Sequence, residues 1–451
     1  MKRKIKSAIA IITMAVTVFA YSGLTEAAVV SAADSGSCTY LEGVNANMNG
    51  YMTYSKVRTS FLTTTKDGYM RVQVGRFVTT PEVEFFDNNF QRTSKKTISG
   101  ELSTLGAFYD DGSYYYLITG QENASQNSNT EVIRVSKFDK SWNKIGSASL
   151  KGANTVAPFE AGNCRVTHTG NYMVIRTSHK MYRSSDGNNH QANMTLLVNT
   201  SNMTITDSQT GVSNTSTGYV SHSFNQFVKL KNNKIVAVDQ GDAYPRGIAL
   251  SEYPTDVTSG KFQSSSVAAT TIFPFAGEVG NNTTGATIGG FELAGDNYLT
   301  VGSSIVQDGK SHTAKNIFAI STNSSTKKSQ VTWLTDVPDG GASIYTPQMA
   351  KINDNKFLVY WGMGTKVQYV FINGVGTPLT DVREFSGCVT DCEPIVQGSK
   401  VIWYQWKNEE IIFYLVATDQ IDSVEVVTTN ATHLYVRSAI KGTSVTLKCS
   451  K

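Results

Sequence analysis

The chain has only six histidines and five cysteines in 451 residues, and charged residues make up just 17% of it. It contains no GxSxG elbow, no HExxH helix, no DxDxDG calcium loop and no glycine-rich phosphate loop. Those gaps remove the hydrolase, zinc-protease, calcium-loop and nucleotide-binding readings that rest on such spacings. CVTDC at 388–392 is a single CxxxC pair, lacking the second pair or nearby histidine that a zinc site needs. No metal and no cofactor is therefore expected. Apolar residues never sustain a three-to-four-residue period beyond the N-terminal segment, which leaves a helical fold without support. No second apolar run is long enough to cross a bilayer.

The N-terminal segment reads as a leader. Lys2, Arg3, Lys4 and Lys6 precede an apolar run from Ala8 to Leu24, and Ala27, Ala28, Ala32 and Ala33 offer cleavage points. Residues 1–33 are accordingly expected to be a secretory signal peptide, with 34–451 as the mature domain. An uncleaved anchor is the alternative. The formal charge of +4 is largely carried by the leader, since cleavage after Ala27 leaves 36 basic and 35 acidic residues. A balance near zero gives no electrostatic reason to expect nucleic acid or anionic lipid as a partner.

What the mature chain does have is a repeat. A tight polar turn, four to six apolar residues and a polar break recur seven times. The copies are KDGYMRVQV from Lys66, DDGSYYYLITG from Asp110, HTGNYMVIRTS from His168, KNNKIVAVDQG from Lys231, AGDNYLTVGS from Ala294, NDNKFLVYWG from Asn353 and VQGSKVIWYQW from Val396. Steps of about 44 to 63 residues are the period of a β-propeller, one four-stranded blade per repeat. The expected fold is all-β, a seven-bladed propeller with its ring closed by the N- and C-terminal segments. A string of β-sandwich domains is the rival, but it does not require one such signature per four strands. In the repeat at 218–256, strands are expected over Ser223–Lys229, Ile235–Val238 and Ile248–Tyr253, with an outer strand in the Ser/Thr-rich stretch to Thr270. Residues 421–451 are too few to bury a core of their own and are expected to finish the last blade.

Terminal positions suggest a disulfide between Cys38 and Cys449, which would help close the ring. Cys388 and Cys392 could staple one loop, leaving Cys164 as a small buried residue.

Blade topology sorts the polar residues. Loops between second and third strands share one face with the inter-blade connections, and His179, His190, His222 and His312 all fall there. The richest segments, from Arg176 and from Tyr219, belong to adjacent blades. They supply His222, His190 and Tyr244 as candidate proton-transfer groups, since imidazole and phenol can exchange protons. His179, Arg176, Arg246, Asp242, Gln191 and Asn225 are the candidate ligand contacts, the guanidiniums suiting a carboxylate or sulfate. Each has a bland alternative, because polar residues at strand ends often only satisfy loop backbone. Trp361, Trp403 and Trp406 are expected to pack between blades.

Taken together, the repeats from about Tyr54 to about Asp422 resemble a secreted bacterial seven-bladed β-propeller. Propeller polysaccharide lyases place His, Tyr and Arg around their funnel, and QGDAYPRG with His222 is similar to that inventory. Arylsulfotransferases of the six-bladed type use funnel His and Arg. Neither family's motif is matched, so no residue role carries over, and fold alone does not give function. The resulting expectation is a secreted or cell-surface monomer that binds an extracellular glycan or protein ligand through its loop-rich face. A lyase-like carbohydrate-active enzyme is the alternative.

Overall fold

The structure is a computed structural model that describes residues 57–74, 80–99, 101–215, 218–220, 223–241, 246–278, 284–407, 410–429, 434–440 and 446–449. Seven antiparallel blades follow one another along the chain, at 60–97, 104–151, 164–209, 223–274, 287–333, 348–386 and 395–429. Each is a meander of four sequential strands, ordered from the axis outward. The seventh sheet continues outward through Leu434–Ile440 and Thr446–Cys449 to six strands. Blade three gains Thr155–Pro158, which pairs with its second strand.

Burial explains why the turn-plus-apolar signature marks the second strand of each blade. That strand lies between sheet neighbours on both sides and packs against adjacent blades on both faces. Tyr115–Gly120 is buried at every position, which demands a continuous apolar run instead of alternation. Outer strands face solvent and read as polar, as in Arg92–Thr97. The turn before the second strand of blade four has Asn232 at φ 51° and Asn233 at φ 60°. Asparagine tolerates that left-handed pair, whose twist matches a two-residue hairpin.

One boundary differs from expectation. The outer strand of blade four is Ala268–Pro274, later than the Ser/Thr-rich stretch suggested. The third strand runs on to Asp256, whose carboxylate then accepts from Thr258 N–H and caps a 3-10 turn at Val257–Ser259. Gly260, at φ 68°, ends that turn, so the Ser/Thr residues form the loop that brings the chain back.

The core lies between blades. Trp361 and Trp403 are fully buried, and Trp403 stacks on Tyr360 at 4.3 Å. Trp406 is half-buried under the Arg71 guanidinium, 5.1 Å from its ring centre. Among the described residues, blades one and seven meet through side chains and share no strand. Phe413 of blade seven packs on Phe86 and Phe90 at 5.2 and 4.7 Å. Tyr404 donates to Gln73 Oε1 at 2.9 Å.

The junction is pinned by Asp391, which is fully buried. Its carboxylate accepts from Thr59 N–H at 2.6 Å, from Thr59 Oγ1 at 2.8 Å and from Ser60 Oγ. Truncation to alanine removes the acceptor that Thr59 and Ser60 share at this junction. Asp391→Ala is expected to cost about 3 kcal/mol, read as a lowered urea midpoint at unchanged m-value. A midpoint equal to wild type would show that the blades hold together without this clamp.

Cys164 and Cys392 carry free, buried thiols. CVTDC therefore does not close its own loop, which corrects the Cys388–Cys392 staple. Cys38 lies outside the described residues, and Cys449 is described by its backbone alone, so their pairing lies outside as well. Among the described residues, no helix is long and apolar enough to cross a membrane.

Candidate functional site

The first strands of the blades surround the axis, and they enclose a cavity of about 260 Å³. Its wall is mixed. Phe61, Phe108, Phe227 and Phe291 supply apolar surface, while Arg58, Arg165, Lys229, Glu292 and Glu393 supply charge. Arg58 and Glu393 immediately precede the first strands of blades one and seven, and Arg165 and Gln348 begin those of blades three and six. First strands start on the side where second-to-third-strand hairpins emerge. This cluster therefore occupies the end of the cavity toward the loop-rich face.

Its geometry is set by charge. Arg58 Nη1 and Arg165 Nη1 approach the same Glu393 oxygen, at 3.1 and 3.2 Å. Burial alone would raise the Glu393 pKa, but Arg58, Arg165 and Lys229 overcome it and hold it at about 2. Arg165 lies over the Phe227 ring at 4.2 Å, which fixes the plane of its guanidinium. Lys229 pairs with Glu292 at 2.7 Å further along the axis. Gln348 receives Arg58 Nη2 at 3.5 Å and donates to Cys392 O at 3.1 Å, tying blades one, six and seven together. Beyond, Tyr109 OH meets His168 Nδ1 at 2.7 Å. Close approach of blades five and six needs glycine here, because a Cβ on Gly289 would lie 1.7 Å from Pro347 O.

None of the described site residues expected from sequence lines this cavity. Arg176 is fully buried and closed off by Asp239, with Thr195 Oγ1 at 2.8 Å and Tyr253 OH at 2.7 Å. His179 is fully buried, its Nδ1 2.8 Å from Thr155 Oγ1. Burial pushes its pKa down to about 4, so it is neutral at physiological pH. Asn225 sits at φ 52° in a bulge of the first strand of blade four, where it accepts from Asn163 Nδ2 at 2.7 Å and donates to Ile288 O. It thus braces blade four against its neighbours. Gln191 donates to Glu160 O at 3.3 Å. Arg246 donates to Ala276 O at 3.1 Å and Gly277 O at 2.5 Å, at the edge of its own blade. His190 stands near the tip of the long blade-three hairpin, exposed, with Nε2 2.7 Å from Asp186 Oδ2. His222, Asp242 and Tyr244 lie outside the described residues.

Sequence reasoning sorted residues by loop and so missed Arg165, Lys229, Glu292 and Glu393. One signal was present. Lys229 and Glu292 each interrupt an apolar first strand, 63 residues apart, in consecutive repeats. A charge at matching register in strands that face the axis marks the axial wall. Among the described residues, no cluster of three or more His, Cys, Asp or Glu could hold a metal ion.

No family model matches the chain, and no curated protein matches it. Solved structures do. The chain is similar to the WD40 domain of SCAP from fission yeast, at 9% identity over 86% of this chain and 93% of that one, with a TM-score of 0.39. It is also similar to the β-propeller domain of the Trilobed protease from Pyrococcus furiosus, whose topology is an open velcro, at 10% identity, 77% and 94% coverage and a TM-score of 0.36. A third is the GH43 protein BlXynB from Bacillus licheniformis, at 8% identity, 77% and 89% coverage and a TM-score of 0.30. Likeness at this level concerns architecture alone. The class of protein is the seven-bladed β-propeller.

Proposed function

We propose that this chain is a secreted or cell-surface β-propeller that binds an extracellular glycan or protein through its loop-rich face and catalyses no reaction. The observation that carries this reading is the use to which the described candidate groups are put. His179 is sealed and neutral, Arg176 is consumed by Asp239, Thr195 and Tyr253, and Asn225 braces blades. A general base needs access to the proton it removes, which His179 lacks; the partly exposed His190 stands on a hairpin tip with its Nε2 beside Asp186.

Strand length supports the choice of face. The central strands of blade three run Tyr172–Arg183 and Asn189–Asn199, and those of blade five run Asn297–Gln307 and Lys310–Asn323. Equivalent strands in blade one hold only six residues each. The longer pairs project their hairpins on the loop-rich side, where a rigid scaffold offers recognition surface.

The test is a screen of the purified mature protein against acidic and neutral polysaccharides, reading both retention and release of unsaturated uronate product. Retention without product is expected. Shortening the hairpin across 184–188 is expected to weaken retention at least tenfold with an unchanged melting temperature. Unsaturated product that disappears in His222→Ala or Tyr244→Phe would overturn the reading in favour of a lyase.

A further inference from the structure

The wedge between blades five and six buries a cation for which the fold provides no partner. Lys315 is only 8% exposed. It lies in the third strand of blade five, near the hairpin that emerges on the loop-rich face. Ser311 pairs with Val306 and Asn316 with Ser304, so residues 312–315 stand against Ile305 alone and bulge from the ladder. Such bulges re-aim side chains. Further along the strand, Ile317 and Ala319 pack with Phe357, Val359 and Trp361 of blade six. Alternation along the strand places Lys315 on that same face, turned toward blade six.

The chain that links the two blades roofs this wedge. Leu334 N–H donates to Ile317 O at 2.8 Å, Val337 N–H to Asn316 Oδ1 at 2.7 Å and Tyr345 N–H to Gly362 O at 2.9 Å. The acids nearby are engaged elsewhere. Asp339 accepts from Thr313 N–H at 2.7 Å and lies 3.4 Å from His312 Nδ1. Across in blade six, Glu384 pairs with Lys366, while Lys310 and Asp336 are exposed. Among the described residues, no acid and no hydrogen-bond acceptor takes the Lys315 amine. Burial is the single cause that lowers its pKa, to about 8. A buried ammonium is costly unless it is paired, so the missing partner is the unusual feature.

We propose that this wedge is a subsite for an acidic glycan, in which the carboxylate of a uronate unit supplies the counter-ion that Lys315 lacks. The inference rests on the glycan-binding reading above and deepens it, naming the ligand's charge and the residue that reads it. A carboxylate offsets a desolvation cost that the empty protein already carries, so a neutral sugar at the same place gains nothing comparable. An acidic peptide fits less well. Peptide docking rests on apolar anchors, and none of the large hydrophobics exposed among the described residues falls in 308–313 or 335–345. The half-buried Tyr345 ring, laid against Gly362 on the linking chain, instead offers a flat face for a sugar.

Calorimetric titration of the intact mature protein with trigalacturonate, its methyl ester and triglutamate tests this. Trigalacturonate should bind, and the ester and the peptide at least tenfold more weakly. That comparison needs no variant. Pairing raises the amine pKa, so protons should be taken up on binding near pH 8, and affinity should fall about tenfold per pH unit above it. Lys315→Met should lose both the preference for acid over ester and this pH dependence. It should also melt at or above wild type, because it removes a buried unpaired charge, whereas loss of a structural lysine would lower the melting temperature. Equal binding of acid and ester, an affinity independent of pH, or a Lys315→Met protein that melts well below wild type would each overturn the proposal. Triglutamate binding as tightly as trigalacturonate would overturn it in favour of an acidic peptide. Polysaccharide retention without preference for acid, alike in wild type and Lys315→Met, would sink this subsite alone. Retention of no polysaccharide at all would sink the glycan reading on which it rests.

Discussion

Arg176→Met is expected to cost about 3 to 5 kcal/mol and to be the most damaging single substitution described here. Arg176 and Asp239 have no exposed side-chain surface, and the guanidinium also serves Thr195 and Tyr253. Removing it takes the ion-pair partner from the Asp239 carboxylate, which is fully buried between blades three and four. Desolvation of that charge, far more than the lost attraction, sets the size of the effect. Replacing both partners, as Arg176→Met with Asp239→Leu, should recover much of the loss, since the ion pair is then removed as a unit. Chemical denaturation of the two single variants and the double gives the coupling directly. A single variant within 1 kcal/mol of wild type would show that water reaches Asp239, contrary to its burial.

The second large effect is a dependence of stability on pH that traces to His179. Its pKa is about 4 in the folded chain because burial disfavours the imidazolium, against an ordinary value near 6.5 in the unfolded chain. The folded state thus favours the neutral ring. The contribution is present in full above the unfolded value and is lost as pH falls from about 6.5 toward 4. Linkage makes this about 3 kcal/mol over that window. Denaturation midpoints of wild type should fall across it more steeply than those of His179→Gln, whatever the offset between the two proteins. Glu393 is separated from this effect, because its stabilisation is lost only as pH falls below the usual glutamate range toward its folded pKa of about 2. Parallel slopes for wild type and His179→Gln would mean that the ring is protonated, or hydrated, in the native state.

Both predictions concern residues that the sequence presented as contacts for a ligand. Arg176 and His179, eight and eleven residues after His168 at the head of the third repeat, look exposed if the apolar run is taken to end at Ile175. In the structure the strand continues through Arg183, and its buried stretch reaches His179. Polar residues there are buried because the neighbouring blade supplies partners for them, Asp239 and Tyr253 from blade four for Arg176. Partners that far apart in sequence leave no local trace.

Local order was legible from the chain. The seven turns, the continuous apolar second strands and the polar outer strands each follow from hydrogen bonding and burial within forty-odd neighbouring residues. Their regular spacing is enough to specify seven blades. Tertiary structure decided the rest. It determined which polar residues face the axis, since that depends on the register of first strands contributed by every blade. It paired Arg58 with Glu393 and Thr59 with Asp391 across more than three hundred residues. It also turned Arg176, His179 and Asn225 into parts of the frame. The physical reason is that a repeat encodes the shape of its own sheet, whereas charge complementarity at an axis exists only once all the sheets are in place.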